Sequence, residues 1–230
     1  MPSVTPSIDP QITRLAPAFR ALSILVEPAP VRHPDVGETA LQQACQAVMA
    51  GEPTWADAHL AAWDNVFKAF GAKPKRTPCS ALALRKRVQR DGMMPAIDPV
   101  VDLYNAVSLR YAVPVGGENL AAYAGQPRLV IADGTELFDT IKEGQPAHEA
   151  PEAGEVVWRD DTGVTCRRWN WRQGVRTRLS VESPLMWFIL ESLPEMPLEA
   201  LQQAGDALIQ GLEAMMPGAA VQRQLIGPGA

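Results

Sequence analysis

The hydrophobic periodicity of this chain changes character near Gln126, and that change constrains the fold more than any other feature. Before it, apolar residues recur at helical spacing. Asp35 to Ala50 reads as a helix closed by Gly51, and Trp55 to Phe70 as a second closed by Gly71. The second helix places Trp55, Ala62, Trp63, Val66, Phe67 and Phe70 on one face. Ser80 to Arg90 is a third helix, with Leu82, Leu84 and Val88 toward a core and its cations toward solvent. Pro99 to Tyr111 is a fourth, with proline suited to the first turn. After Gln126, PRLVIADG, TELFDTI, EVVWRDDTG and VTCRRWNWRQG read as strands joined by Gly and Asp turns. Two apolar runs read as further strands: RALSILVEP from Arg20, and SPLMWFILE from Ser183 to Glu191, the latter buried. A C-terminal helix follows from Pro197 to about Met215. This order predicts an α+β fold, with helices packed on a mainly antiparallel, partly barrel-like sheet. One domain over 1–230 is expected, with residues 97–192 a continuous unit and flexible ends at about 1–10 and 217–230.

With 230 residues, 47% of them apolar, the chain can bury a sizeable core. No apolar run reaches the roughly 20 residues of a membrane span. The opening MPSVTPSIDP has neither the basic nor the apolar region of a secretory signal. Cys45, Cys79 and Cys166 are scattered and odd in number, which fits reduced thiols and a cytoplasmic protein. Only three histidines occur and no metal-ligand spacing, so neither a metal nor a cofactor is expected.

Charge is unevenly placed. Eight basic residues from Lys68 to Arg90 and five from Arg167 to Arg178 lie in stretches without an acid. The rest of the chain carries 8 basic against 26 acidic residues. Such a pattern in a chain of net charge −5 fits either a local phosphate contact or a solvated helix face and an arginine-rich strand. The candidate RNA-binding residues are Lys73, Lys75 and Arg76, with Arg85 or Arg87. No membrane or DNA partner is expected.

As a strand, RRWNWR would send Arg168, Asn170 and Arg172 to one face and Arg167, Trp169 and Trp171 to the other. The polar face could hold phosphates while the tryptophans wall a pocket; the other reading places Trp169 and Trp171 in the core and the arginines in surface ion pairs. His59 reads as a core histidine, and Cys79 and Cys166 as buried apolar residues. Asp102 reads as a structural acid. Asn105 either serves a site or ties down the turn that follows, and Glu191 is either a pocket acid or a solvated strand end.

Two stretches carry a resemblance. IDPVVDLYNAVSLRYAVPVGGENLAAYAGQPRLVIADGTELF, from Ile97 to Phe138, resembles part of the β subunit of bacterial phenylalanyl-tRNA synthetase, where a V-D-x-T-N helix leads through a proline turn to a G-E-x-L hairpin. GEVVWRDDTGVTCRRWNWRQGVRTRLS, from Gly154 to Ser180, is similar to the free-standing B3/4-domain proteins, as is HLAAWDNVFKAFGAKPKRTPCSALALRKRV. In the synthetase this domain resembles an editing module that hydrolyses tyrosine from mischarged tRNA. The resemblance therefore implies an aminoacyl-tRNA deacylase acting in trans, with the tRNA 3′ end as partner; the alternative is an RNA-binding module that kept the fold and lost the chemistry. Asp102, Asn105 and Pro114 match the family motif, Tyr104 replaces its threonine, and Gly116 stands where the synthetase has an editing-pocket histidine. Glu191 matches a glutamate that recognises the substrate. Hydrolysis of an activated ester needs a positioned water and oxyanion donors rather than a covalent nucleophile. Asn105, Arg168 and Asn170 are the catalytic candidates, and Tyr104, Gly116, Trp169 and Glu191 the substrate-binding ones, in a pocket between the Asp102–Gly117 segment and the Arg168–Arg172 strand.

Overall fold

A computed structural model describes residues 3–227. In chain order the elements are β1 (Ser7–Ile8), α1 (Pro10–Leu15), β2 (Arg20–Glu27), α2 (Asp35–Met49), α3 (Ala56–Ala69), α4 (Ser80–Asp91) and α5 (Pro99–Tyr111). There follow β3 (Val115–Asn119), β4 (Arg128–Ile131), β5 (Phe138–Lys142), β6 (Gln145–Glu149), β7 (Val156–Arg159), β8 (Val164–Arg167), β9 (Arg172–Gln173), β10 (Met186–Ser192), α6 (Leu198–Met215) and β11 (Ala220–Ile226). The fold is α+β. Its strands form two sheets rather than a closed barrel: β1-β4-β7-β8-β5-β6, with β9 on β8, and β11-β2-β10-β3. Most pairings are antiparallel; β1–β4 and β5–β8 are parallel.

The helix boundaries follow local chemistry. α5 begins at Pro99 because Asp98 accepts from the Val100 and Val101 N–H groups, and Asp102 turns back to accept from Ile97 N–H. α2 crosses α5 so closely that a Cβ on Gly37 would lie 2.0 Å from Pro99 O. α4 buries Ala81, Arg85 and Val88, so the cation at position 85 faces inward.

β10 explains its own composition. Every residue from Met186 to Ser192 is buried because both faces of its sheet are covered. Met186, Phe188 and Leu190 pack with Leu22, Ile24 and Val26 under α5 and α6. Trp187 and Ile189 alternate to the opposite face, where they join Leu25, α3 and the other sheet through Leu129, Val156 and Trp158. Glu191 keeps that second phase and therefore points between the two sheets.

Described parts of both expected tails pair into the sheets. Ser7 and Ile8 pair with β4, and Ile12 is fully buried. β11 runs antiparallel along β2 from Ala220 to Ile226 and covers its edge. The part of the expected C-terminal tail at 228–230 lies outside the described residues, as do residues 1–2 of the expected N-terminal one.

Candidate active site

A cavity of about 350 Å³ lies between the two sheets and α4. One stripe of α4 borders it, Ser80, Ala83, Leu84 and Arg87, spaced as one helix face. β3 contributes Gly116 and Glu118, which share a face by the strand's period of two, and β10 contributes Trp187, Ile189 and Glu191 from the matching face. Trp158, Cys166 and the residues from Trp169 to Gln173 form the opposite wall, and Tyr104 and Asn105 reach it from α5.

The RRWNWR segment is not a continuous strand. β8 ends at Arg167 and β9 starts at Arg172, and these two residues pair across a four-residue turn. Arg168 and Trp169 take φ values of 46° and 66°, in the left-handed region that non-glycine residues rarely occupy. The turn breaks the alternation. Trp169 and Asn170 both go inward, where each bonds Glu191. Arg168 goes the other way: its guanidinium stacks 4.6 Å over the Trp171 ring and lies near Glu152 and Glu155. It does not line the cavity, which removes it from the catalytic set. Instead it borders a separate depression with Lys73, Arg76 and Glu152.

Glu191 is 1% exposed and accepts three hydrogen bonds. Trp158 Nε1 at 2.9 Å and Trp169 Nε1 at 3.0 Å share Oε1, and Asn170 Nδ2 reaches Oε2 at 3.0 Å. Burial raises its carboxyl to about 8, against the pull of those three donors. Glu118, also buried, accepts from the Tyr123 hydroxyl; burial raises it to about 7. Glu118 is the site acid that sequence reasoning missed. Its signal was the acid in V-G-G-E, one strand period from Gly116.

Gly116 lines the cavity, where a Cβ would sit 3.1 Å from Ile189 Cγ2. Tyr104 packs against Gly117, whose Cβ would fall 2.9 Å from the ring, and so props β3 as well as bordering the cavity. Asn105 is half-buried at the same wall. Cys79 and Cys166 are buried, which pushes both thiols up, to about 12 for Cys79. His59 donates from Nδ1 to Ala112 O and accepts at Nε2 from Leu193 N–H, and burial lowers it to about 4. Among the described residues no group of three or more His, Cys, Asp or Glu is placed to hold a metal ion, and no helix is long and apolar enough to cross a membrane.

The basic stretches divide. Lys73, Lys75 and Arg76 lie on the loop before α4, and Arg87 stands at the cavity. Arg85 is 4% exposed and donates to Leu109 O at 2.8 Å, which takes it out of reach of a phosphate. In the second stretch, Arg167 is clamped by Glu155 and Glu149, and Arg176 by Asp160. Acids distant in sequence thus pair with Arg167, Arg168 and Arg176 in a run that looks uniformly basic.

None of the curated proteins compared with this chain matches it. Among solved structures, an N-terminal fragment of the phenylalanyl-tRNA synthetase β-subunit from Pyrococcus horikoshii is similar, with a TM-score of 0.51 at 10% identity. The match covers 96% of this chain and 51% of that one, so the chain spans about half the length of that structure, and the likeness is one of fold. The model of the B3/4 domain matches residues 62–201, more than half of the chain. The chain belongs to the B3/4 domain family.

Proposed function

We propose that this protein deacylates aminoacyl-tRNA in trans, with the cavity between the sheets as the aminoacyl pocket. The observation that carries this reading is the joining, through one tryptophan, of an aromatic-lined cavity and a basic surface. Trp171 lines the cavity and carries Arg168 over its ring, and Arg168 borders the same depression as Lys73 and Arg76. An aminoacyl group in the cavity thereby leaves its polynucleotide on a cationic face.

The chemistry is assigned to neutral and acidic groups. Asn105 orients the attacking water or donates to the oxyanion, since an amide both donates and accepts. Glu118, whose proton affinity is lifted toward neutrality, takes the proton of that water. The ester bond to the ribose then breaks, the ribose oxygen leaves as a hydroxyl, and the amino acid departs as a carboxylate. Arg87 and Arg172, the cations that line the cavity, hold the terminal phosphate. Cys166 is not assigned as a nucleophile, because burial raises its thiol well above neutrality. Asn170 and Glu191 bind the aminoacyl group rather than react with it. Gly116 leaves space where the synthetase family carries a histidine, so the accepted side chain differs from tyrosine.

A panel of mischarged tRNAs, assayed by loss of acid-precipitable label, tests this directly. Turnover of at least one species is expected, and Asn105→Ala should reduce it by about 100-fold. Binding of tRNA without turnover of any species would support the non-catalytic RNA-binding reading instead.

A further inference from the structure

The hydrogen bonds around Glu191 have a polarity. All three neighbours that touch its oxygens do so through N–H groups, and an indole nitrogen can only donate. The surroundings are therefore built for the carboxylate. Yet no cation is paired with it, although Arg87 and Arg172 line the same cavity. Neither Glu191 nor Glu118 is in an ion pair with a described residue. The two carboxylates border one cavity. A buried anion without a partner is costly, and two in one enclosure more so.

Two further acceptors are left over beside it. Asn170 is 6% exposed, and donation from its Nδ2 to Glu191 fixes which way the amide faces. Its Oδ1 is buried and receives no hydrogen bond. Ser80 Oγ is likewise buried and unpartnered, and Ser80 is held against this residue by its own N–H on Asn170 O. Both residues line the cavity. What is missing is a single group with positive charge and several N–H bonds. Trp158, Trp169, Trp171 and Trp187 line the same cavity.

We infer that the cavity binds a primary alkylammonium, seated on Glu191 with its remaining N–H groups on Asn170 Oδ1 and Ser80 Oγ. In an aminoacyl ester this group is either the α-ammonium or the terminal ammonium of a basic side chain. The inference deepens the deacylase reading in naming the group that is gripped, but it is tested by binding alone, without tRNA.

Tryptophan fluorescence titration with three small probes separates the sources. Norleucine methylamide presents only an α-ammonium, Nα-acetyl-lysine methylamide only a side-chain ammonium, and Nα-acetyl-norleucine methylamide neither. One of the first two should bind at least about tenfold more tightly than the third, as expected for a charge-assisted hydrogen bond; which one binds identifies the source. Glu191→Gln should abolish that preference. The substitution is tolerable in shape, since the new amide oxygen still accepts from both indoles and Asn170 can flip to meet the new N–H₂. Ser80→Ala, which disturbs only an unpartnered hydroxyl, should weaken the preferred probe severalfold. Equal binding of all three probes, binding of none, or an unaltered preference in a folded Glu191→Gln protein would overturn the inference. Deacylation that persists beside such a result would leave the proposed reaction standing, and loss of deacylation with the preference intact would do the reverse.

Discussion

The indole nitrogens of Trp158 and Trp169 both donate to one oxygen of Glu191, although Trp158 stands on a strand 33 residues earlier and Trp169 in a turn 22 residues earlier. Two large hydrophobic side chains direct their only polar group at a single buried carboxylate. Burying an indole N–H requires a partner, and here the partner is an acid that itself has no counter-charge. The arrangement ties β7 and the turn before β9 to β10, and it puts a titratable group at the junction of the two sheets.

Stability should therefore depend on pH in a particular sense. Glu191 and Glu118 have folded-state values raised to about 8 and about 7, so between the usual glutamate range and those values the folded protein holds protons that the unfolded chain has lost. Their contribution is complete below the ordinary glutamate value of 4.5, is lost progressively as pH rises, and is gone above about 7 for Glu118 and about 8 for Glu191. His59, lowered to about 4, works oppositely, removing stability as pH falls below its ordinary range. Thermal unfolding of the ligand-free protein should show a midpoint that declines from about pH 5 to about pH 8 and levels off above that. Glu191→Gln should flatten that decline, and a midpoint that rises over this window in the wild type would contradict the assignment.

Arg85 should prove structural. Its guanidinium is buried and donates to Leu109 O near the end of α5. Arg85→Met keeps much of the volume but leaves that carbonyl without a partner, at a cost of about 1–3 kcal/mol. Chemical denaturation should register the destabilisation, while tRNA affinity measured well below the transition stays within twofold. A large drop in affinity in a fully stable Arg85→Met protein would restore Arg85 to the RNA surface.

The fold was largely legible in the chain. Pro99 after Asp98, Gly51, Gly71 and Gly92 set helix ends by chemistry that acts within a few residues, and the α+β order followed from the period change. Much of the misplacement had long-range or conformational causes. Nothing in RRWNWR announces left-handed backbone at Arg168 and Trp169, since neither is glycine, so alternation was the natural reading and it sent Arg168 to the wrong side. The acids that neutralise Arg167 and Arg176 stand 12 to 18 residues away along the chain, and only folding brings Glu149, Glu155 and Asp160 onto them. β11 escaped notice because its burial is slight and the strand it pairs with, β2, comes far earlier in the chain.

The basic surface is expected to include Arg168. Lys73, Arg76 and Arg168 border one depression outside the aminoacyl cavity. The triple substitution to alanine should raise the tRNA dissociation constant. It should also make the salt dependence shallower, by up to about 0.7–0.9 in slope for each phosphate no longer neutralised. Single-turnover deacylation at saturating tRNA should change little, because none of the three reaches the ester. A slower rate at saturation from Arg168→Ala alone would return that residue to the catalytic set.

Glu118 offers the sharpest test of the proposed chemistry. A general base acts when deprotonated, so single-turnover deacylation, corrected for spontaneous hydrolysis, should climb as pH rises through about 7. Glu118→Gln should remove that limb and slow the reaction by about 10²–10⁴-fold. The fold should survive, because Tyr123 meets Glu118 through a hydroxyl, which accepts as readily as it donates. Ionised Glu118 raises Glu191, which titrates above it, so Glu191 is still protonated where Glu118 gives up its proton. In Glu191→Gln the rate limb should therefore keep its place at about 7, because the substitution removes no charge that Glu118 feels as it titrates. A limb that survives in Glu118→Gln, or that moves with Glu191→Gln, would assign the base to another group.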